Sequence, residues 1–417
     1  MVHIKIINDK YSNPHYSICK IVVFAGSIFE APHEKGITHF IEHLIFKGSK
    51  YNEGIKNLTD RLNSNGMSIN AYTNNYNTVF HITTPIKFIK KGIDTLIQMV
   101  MTPLFREIDI DTERKVVINE LLQRMNTPEK YASIVEYQKI FSKKNPLHHP
   151  VIGYIETLKK ITMSDIKNYY DKYYNSSNML FLTIANSKNQ AKIRDIWKKS
   201  YSIYGTTLTP QCNISMYSTK DIYDKLKSDL CLMNPLKKYV LSKIFPHNTS
   251  AYIRITFVLP KLTNKEFCAF QMFSYYLAGS MSSVLFNELR EKRQLIYSVS
   301  AYTYNYSNNF LMSIEFNCKK NTIKINECVK TINNVLHLFY KNGMTSHEFD
   351  KFKMKVITDY MYNEDKTDIE IERYIRKYYL DLPNINYIKN YKNITKAFLK
   401  KTVSKNLRKS KKLMIIL

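Results

Sequence analysis

An internal repeat constrains the fold of this chain more than any other feature of its sequence. The pattern Ala-Tyr-Thr-x-Asn-Tyr begins at Ala71 and again at Ala301, 230 residues later, within the segments SINAYTNNYNTVFHITTP (68–85) and SVSAYTYNYSNNFLMSIEF (298–316). Both segments alternate small or apolar residues with polar ones and are rich in Tyr, Thr, Val and Phe, which is typical of strands with one buried face. The offset is far longer than a solenoid unit, so it indicates two related domains in tandem.

The order of elements around the two copies also recurs. Helical patterns precede them in ITHFIEHLIFKG and SSVLFNELREKRQL, helical patterns follow them in GIDTLIQMVMT and ECVKTINNVLHLFYKNG, and longer amphipathic stretches come later at 109–125 and 345–361. Strands mixed with helices that cover one sheet face belong to the α+β class. We therefore predict two tandem homologous domains, each a mainly antiparallel sheet with helices packed on one face. Their limits are 1–200 and 249–417, with a polar linker region at 201–248.

The net charge of the chain is large but gives little information about its partners. The formal charge is +27, from 62 Lys and Arg against 35 Asp and Glu, which favours acidic partners such as nucleic acid, an anionic membrane or an acidic protein. However, the charge is spread along the chain, and the densest basic stretch is the short C-terminal KNLRKSKKLMIIL. No zinc-finger, helix-turn-helix or RRM-type pattern accompanies it. We expect a solvated basic surface and no specific nucleic-acid partner.

Cysteine usage and the first residues bear on the compartment. The six cysteines are scattered without a CxxC pair, which favours reduced thiols in the cytoplasm or another reducing compartment. The start, MVHIKIINDKYSNPHYSICK, lacks the basic and apolar regions of a signal peptide and the Arg/Ser-rich composition of a transit peptide. No apolar run reaches the roughly 18 residues that a membrane span needs. We expect neither a targeting segment nor a membrane partner.

The stretch HFIEHLIFKG (39–48) contains His39, Glu42 and His43 in the pattern H-x-x-E-H. In a helix, residues four apart are separated by about 40° around the axis, so the two histidines point the same way and Glu42 can reach the same side. Imidazole nitrogens suit Zn²⁺, and a catalytic zinc takes three protein ligands and keeps a fourth position for water. The alternative is a solvated helix face that carries two histidines by chance, and the motif alone leaves both interpretations open.

A second constellation favours the metal site. Glu113 and Glu120 lie seven residues apart in DTERKVVINELLQRM, which is two helical turns and hence one face. Together with the histidine helix, Glu120 is a candidate third ligand, and Glu113 is a candidate carboxylate that orients a histidine. We assign the other histidines that we considered to loop or structural positions: His81, His148, His149, His337 and His347.

At this point the sequence resembles a family. The segment GSIFEAPHEKGITHFIEHLIFKGS resembles the entry segment of the inverted-zincin metallopeptidases that include pitrilysin, insulin-degrading enzyme and mitochondrial processing peptidase, whose signature is H-x-x-E-H. Further segments resemble the ligand helix of that family (ERKVVINEL), the strand after the zinc helix (NAYTNNYNTVFHI) and the end of the first domain (NPLHHPVIG and YYNSSNMLFLTIAN). In the second half, LAGSMSSVLFNELREKRQLIYSVSAYT resembles the substrate-carbonyl segment. The resemblance covers nearly the whole chain, apart from the linker and the last few dozen residues.

The resemblance implies a site and a set of roles. One Zn²⁺ per chain would be held by His39, His43 and Glu120, with Glu42 as general base and Glu113 as the companion acid. Donors to the carbonyl groups of the substrate would be Arg290 and Tyr297, seven residues apart. An extended peptide would pair with the strand after the zinc helix by β-augmentation, at Asn70, Ala71, Tyr72 and Thr73.

The resemblance also implies a function and an assembly. We expect a zinc-dependent endopeptidase of the two-domain, processing-peptidase-like branch, which hydrolyses peptides or unfolded segments in a chamber formed by a dimer. A homodimer is the simplest expectation, and a heterodimer remains open. The alternative is a catalytically silent relative that acts as a scaffold or binding subunit, although such relatives typically lose ligands or the base. Two departures concern the expected substrate preference: Gln294 stands where many relatives have Gly, and Val284 where Arg is common.

Overall fold

The computed structural model of this chain contains two compact units, each built around one five-stranded sheet. The predicted α+β class with two mainly antiparallel sheets is therefore confirmed. The domain limits stay a prediction, and most of the region at 201–248 lies outside the described residues. Those residues are 3–8, 15–53, 55–185, 190–205, 237–241, 244–306, 309–364 and 385–417.

In the first unit, the helices pack along one face of a five-stranded sheet. The strand order of this sheet is β1-β7-β2-β6-β5, and only the β1–β7 pair is parallel. Its strands are β1 (His3–Asn8), β2 (Tyr16–Val23), the short pair β3 (Gly48–Ser49) and β4 (Asn52–Glu53), β5 (Ser68–Thr73), β6 (Thr78–Pro85) and β7 (Met179–Ala185). Its helices are α1 (Ile37–Ile45), α2 (Ile55–Asn63), α3 (Ile89–Met101), α4 (Glu107–Met125), α6 (Ile155–Leu158), α7 (Met163–Tyr173) and α8 (Gln190–Tyr204), whereas α5 (Pro128–Ile140) packs with the second unit.

The second unit repeats this arrangement. Its sheet has the order β8-β12-β9-β11-β10, which matches the first sheet strand by strand, including one parallel pair at the β8 edge. The repeated segments 68–85 and 298–316 each form a hairpin rather than a single strand. The elements are β8 (Lys237–Val240), β9 (Ser250–Leu259), α9 (Asn264–Ala278), β10 (Ile296–Tyr306), β11 (Asn309–Lys319), α10 (Thr322–Asn342), α11 (Ser346–Glu364), α12 (Tyr387–Lys392), α13 (Lys396–Lys409) and β12 (Lys411–Ile416).

Helix α1 is buried along almost its whole length. Phe40, Ile41 and Leu44 are fully buried in the core of the first unit, as expected of a helix that is apolar on most of its surface. The same burial encloses the polar residues of its sequence, so that His39 and Glu42 are each only 8% exposed. Buried polar groups need partners, because an unpaired one costs free energy. The fold thus buries His39 and Glu42 and leaves His43 half-buried, so the motif does not lie on a solvated face.

The start of α1 is fixed by a buried carboxylate and two glycines. Glu30 accepts hydrogen bonds from the backbone N–H groups of Gly36 (3.0 Å) and Thr38 (3.1 Å), which satisfies donors that the first turn of a helix leaves free. Burial raises the pKa of Glu30 to about 7, against the effect of these hydrogen bonds. Gly36 has φ +98°, and Gly153 has φ +80° and packs so closely that a Cβ there would lie 2.2 Å from the carbonyl oxygen of Lys35.

We expect Gly153→Ala to destabilise the first unit clearly more than Gly66→Ala does. Both glycines have positive φ, +80° and +66°, but a Cβ on Gly66 would meet its nearest atom at 3.6 Å. The control therefore loses about 1–2 kcal/mol of backbone preference, and Gly153→Ala adds an overlap with backbone of about 1–3 kcal/mol. The thermal unfolding midpoints of the two variants measure this difference. Equal midpoints would mean that the segment around Gly153 does not brace the entry to α1.

Helix α5 follows the end of α4 after two residues and is held to the second sheet by buried charge. Arg254 on β9 is 4% exposed, and its guanidinium lies 3.2 Å from the Glu136 carboxylate on α5 and 2.7 Å from Glu315. Glu136 also accepts hydrogen bonds from Thr256 and from the Tyr304 hydroxyl. Removing one partner from such a buried pair would leave an uncompensated charge, so this cluster fixes α5 in the second unit.

Candidate metal centre

Three side chains from α1 and α4 converge on one point. The Nε2 atoms of His39 and His43 lie 3.8 Å and 3.5 Å from Oε2 of Glu120. The three ligand atoms lie within 4.8 Å of one another, and among the described residues no other group of three His, Cys, Asp or Glu could hold an ion in this way. The fold therefore brings together the three residues proposed as ligands, although Glu120 lies 77 residues after His43 in the chain.

These separations fit a shared ion better than direct hydrogen bonds. Two ligands that each lie about 2.0–2.2 Å from a tetrahedral Zn²⁺ are roughly 3.3–3.6 Å apart, whereas N–H···O hydrogen bonds are about 2.7–3.2 Å long. Two imidazoles and one carboxylate are also a ligand set that zinc favours at catalytic sites. The donor set therefore fits zinc, with the 3.5 Å separation inside the expected range and the 3.8 Å separation slightly above it.

The outward atoms of two ligands are held by neighbouring charged groups. The Nδ1 atom of His43 lies 3.1 Å from the Glu113 carboxylate, which is also 2.5 Å from Nζ of Lys47. Arg124 donates from Nε and Nη2 to Oε1 of Glu120, at 2.9 Å and 2.7 Å. Because Glu113 fixes Nδ1 and Arg124 fixes Oε1, Nε2 of His43 and Oε2 of Glu120 are left to face the centre of the cluster.

Burial and neighbouring charges shift the pKa values of the two histidines in opposite directions. Burial, followed by the nearby His43, lowers the pKa of His39 to about 4, so its imidazole is neutral at pH 7. Burial also acts to lower the pKa of His43, but Glu113 and Glu120 outweigh it and raise that pKa to about 9. The contact with His43 holds the pKa of Glu120 down at about 2. At pH 7 the positive charge of the cluster therefore lies on His43, where Glu113 and Glu120 stabilise it. A metal cation bound to these ligands would be stabilised by the same two carboxylates.

Glu42 lies beside this cluster and is oriented by β5. Its Oε2 accepts a hydrogen bond of 2.5 Å from Oγ1 of Thr73. Burial raises the pKa of the Glu42 carboxyl above its usual value, and the Thr73 hydroxyl opposes that shift. Sequence reasoning assigned Thr73 to peptide binding through its main chain, so the role of its side chain was missed.

The other predicted peptide-binding residues lie on β5, which is an edge strand of the first sheet. Asn70 is exposed, whereas Ala71 and Tyr72 are half-buried. The Oδ1 atom of Asn70 accepts a hydrogen bond from the backbone N–H of Ala71. An edge strand offers unpaired backbone groups to an extended chain, so this location is compatible with the predicted role, which stays a prediction.

The predicted carbonyl-binding pair lies together in the second unit. The guanidinium of Arg290 is 5.0 Å from the ring centroid of Tyr297, whose side chain is 79% exposed. The segment predicted as helical contains a π-helical stretch at Phe286–Glu291. It ends near Gln294, whose φ of +51° is the only positive value at a non-glycine among the described residues. Glycine adopts such a φ without strain, which gives a physical reason for the glycine that the resemblance implies at this position.

The histidines assigned to structural roles stay outside the cluster. His148 ends a short 3₁₀ turn, and Nδ1 of His149 lies 3.0 Å from the hydroxyl of Tyr154. His81 is half-buried on β6, with its ring 6.4 Å from that of Tyr72. None of these histidines belongs to the group that could hold a metal.

Two related α+β units, the first with a His-His-Glu centre, define the class of this chain, and comparison with known proteins names the family. Residues 5–153 match the profile described as insulinase (peptidase family M16), and residues 160–356 match the profile described as peptidase M16 inactive domain. The chain belongs to peptidase family M16. Its two halves carry the N- and C-terminal domains of that family.

Individual relatives agree with this assignment. The chain is 25% identical over 302 residues to an uncharacterized zinc protease of Rickettsia felis, which covers 70% of this chain and 66% of that protein. It is 22% identical over 353 residues to the uncharacterized zinc protease YmxG of Bacillus subtilis, covering 84% and 79%. The solved structure of a protease from Helicobacter pylori has the same fold, with a TM-score of 0.82 at 19% identity over 99% of this chain and 96% of that chain.

In the described part of the chain, none of the helices has the length and apolarity needed to cross a bilayer.

Proposed function

We propose that this chain is a zinc-dependent endopeptidase that hydrolyses peptides or unfolded segments. The observation that carries the proposal is the His39, His43 and Glu120 cluster, with the Glu42 carboxyl buried beside it on the same helix. The family and the names of its relatives as zinc proteases support the same reading. The second half matches a profile described as inactive, which agrees with the only candidate metal group of the described residues lying in the first half.

Each residue has a distinct part in the proposed reaction. When bound, zinc supplies a Lewis acid and lowers the pKa of its water toward about 7. Glu42 takes the proton of the attacking water and passes it to the leaving amine, a contribution of roughly 10²–10⁴ in rate. Glu113 keeps His43 in the tautomer that leaves Nε2 free. The edge of β5 pairs with the extended substrate.

Two further parts of the proposal rest on the sequence resemblance, and a third rests on cysteine usage. Arg290 and Tyr297 donate to carbonyl groups of the substrate, where developing charge needs hydrogen-bond donors. A dimer forms the chamber in which the peptide is cut, with a homodimer as the first candidate. The protein works in a reducing compartment, as its scattered cysteines suggest. The described cysteines, Cys19, Cys268, Cys318 and Cys328, are all buried and form no disulfide.

Cleavage of a mixed peptide pool tests the proposed function. Peptides of roughly 10 to 40 residues, a span that an extended strand-binding site can hold, are incubated with the zinc-loaded protein, the chelator-stripped protein and the stripped protein after zinc is restored. Products are identified by mass spectrometry. We expect cleavage that disappears with the metal and returns with it. A protein that binds one zinc per chain and cuts nothing at any protein concentration would contradict cleavage by a homodimer and point to a missing partner chain. A protein that neither binds zinc nor cuts would support a scaffold or binding subunit.

A further inference from the structure

The hydroxyl of Thr73 joins the candidate base to the edge strand. Its Oγ1 donates to Oε2 of Glu42 over 2.5 Å, which is the length of a hydrogen bond from a hydroxyl to a charged oxygen. Thr73 pairs with Thr78 across the hairpin, and their hydroxyl oxygens are 3.3 Å apart. Thr78 in turn donates to the carbonyl oxygen of Ala25 over 2.9 Å. Because Thr78 donates its hydrogen to Ala25, it cannot donate to Thr73 as well. Of the two possible acceptors for the hydrogen of Thr73, Glu42 lies at 2.5 Å and Thr78 at 3.3 Å, so the hydrogen goes to Glu42.

The hydrogen bond from Thr73 restricts the rotation of the Glu42 carboxylate, which the helix itself does not fix. The terminal torsion of a glutamate side chain is broad, so neither the helix backbone nor a rotamer preference fixes the plane of the carboxylate. The hydrogen bond to Thr73 fixes Oε2 and leaves Oε1 as the oxygen that can accept a proton. Glu42 is 8% exposed, so solvent cannot supply the same restraint to both oxygens.

We propose that Thr73 is a positioning residue, whose side-chain hydroxyl orients the Glu42 carboxylate for proton transfer. The inference rests on the proposed function and adds a residue to it. It differs from the sequence-based role of Thr73, which concerns main-chain pairing with the peptide. The two roles predict changes in different kinetic constants. Loss of orientation lowers kcat, whereas loss of peptide pairing raises KM.

Five variants separate these roles, one of which is Glu42→Gln alone. Thr73→Val keeps the β-branched shape and removes the hydroxyl, and Thr73→Ser keeps the hydroxyl. Thr83→Val makes the same chemical change on the neighbouring strand of the hairpin and serves as the matched control. Thr73→Val is also combined with Glu42→Gln. Steady-state kcat and KM are measured on one peptide that the wild type cleaves, and zinc content is measured for each protein.

We expect Thr73→Val to lower kcat about 10-fold or more, because a misplaced catalytic group loses much of its effective concentration. KM should stay within about 2-fold, Thr73→Ser should recover most of kcat, and Thr83→Val should resemble the wild type. In the Glu42→Gln background, Thr73→Val should add almost nothing, since its effect passes through that carboxylate. A raised KM with normal kcat, or an equal loss of rate in both backgrounds, would overturn the proposal.

A structural readout keeps the test independent of activity. A crystal structure of zinc-loaded Thr73→Val should show the Glu42 carboxylate turned away from its wild-type orientation or in two orientations, with the three ligands unmoved. An unchanged Glu42 would overturn the positioning role even if no peptide substrate were found. Failure of the wild type to cleave any peptide would contradict the proposed function, and this crystal structure would still decide the question of Thr73.

Discussion

Replacing Glu42 with Gln should abolish most peptide cleavage and leave zinc binding intact. Gln has the same size and can still accept the hydrogen bond from Thr73, so the packing of α1 should survive. It cannot take up a proton at neutral pH, and the contribution of a positioned general base is roughly 10²–10⁴ in rate. We therefore expect kcat to fall by about that factor, with one zinc per chain in both proteins. Peptide cleavage and metal content, measured on the same preparations, test this expectation.

The matched control for this variant is Glu156→Gln, which changes an exposed glutamate of the same unit by the same chemistry. It should keep the wild-type rate. A Glu42→Gln protein that cleaves at the wild-type rate would show that another group takes the proton. A variant that loses zinc as well would mean that Glu42 supports the metal centre rather than only the chemistry.

The histidine pair and the pair of Glu113 and Glu120 could each be predicted because the geometry within one helix is local. Two residues four apart on one helix share a face whatever the rest of the chain does, and Glu113 and Glu120 share a face for the same reason. That the two helices meet is a tertiary fact, and it was anticipated from the resemblance to a family rather than from spacing. The structure brings Glu120 within 3.8 Å of both histidines.

The sequence contains a turn signal for the first hairpin, although the alternating pattern alone predicts only strands. Residues 68–85 contain the run Asn74-Asn75-Tyr76-Asn77, and Asn is a turn former because its side chain can bond to nearby backbone. In the structure, Oδ1 of Asn74 accepts from the backbone N–H groups of Tyr76 and Asn77. The turn contains neither Gly nor Pro, so its signal is weak, and the alternation on both sides continues the pattern of a single strand.

Other features depend on contacts between distant residues and could not be predicted. Arg124 stands four residues after Glu120, but such pairs are common on solvated helices and give only weak stabilisation. Only the position of Oε2 against the histidines shows that Arg124 holds the remote oxygen of a candidate ligand. Likewise, the packing of α5 with the second unit depends on its ion pair with Arg254, more than 110 residues away.

The largest change in metal affinity should come from Glu120→Gln. This substitution removes the anionic ligand from the centre and leaves the Arg124 guanidinium without its carboxylate partner. Loss of an outer carboxylate such as Glu113 typically costs about 10–100-fold in metal affinity, so loss of a ligand should cost more than about 100-fold. Competition with a chromogenic zinc chelator measures both variants on one scale. Glu107→Gln, an exposed change at the start of the same helix, is the control and should bind zinc like the wild type.

The order of zinc affinity and of recovered cleavage among these variants is the decisive result. Glu113→Gln should recover most of its cleavage at saturating zinc, because it weakens the orientation of His43 and leaves all three ligands in place. Glu120→Gln should not recover, since a neutral amide replaces the charged ligand. If Glu120→Gln bound zinc as tightly as the wild type, the ion would have to be held without α4. The 3.5 Å and 3.8 Å spacings to the histidines would then be a feature of helix packing alone, and the proposed hydrolytic centre would lose its third ligand.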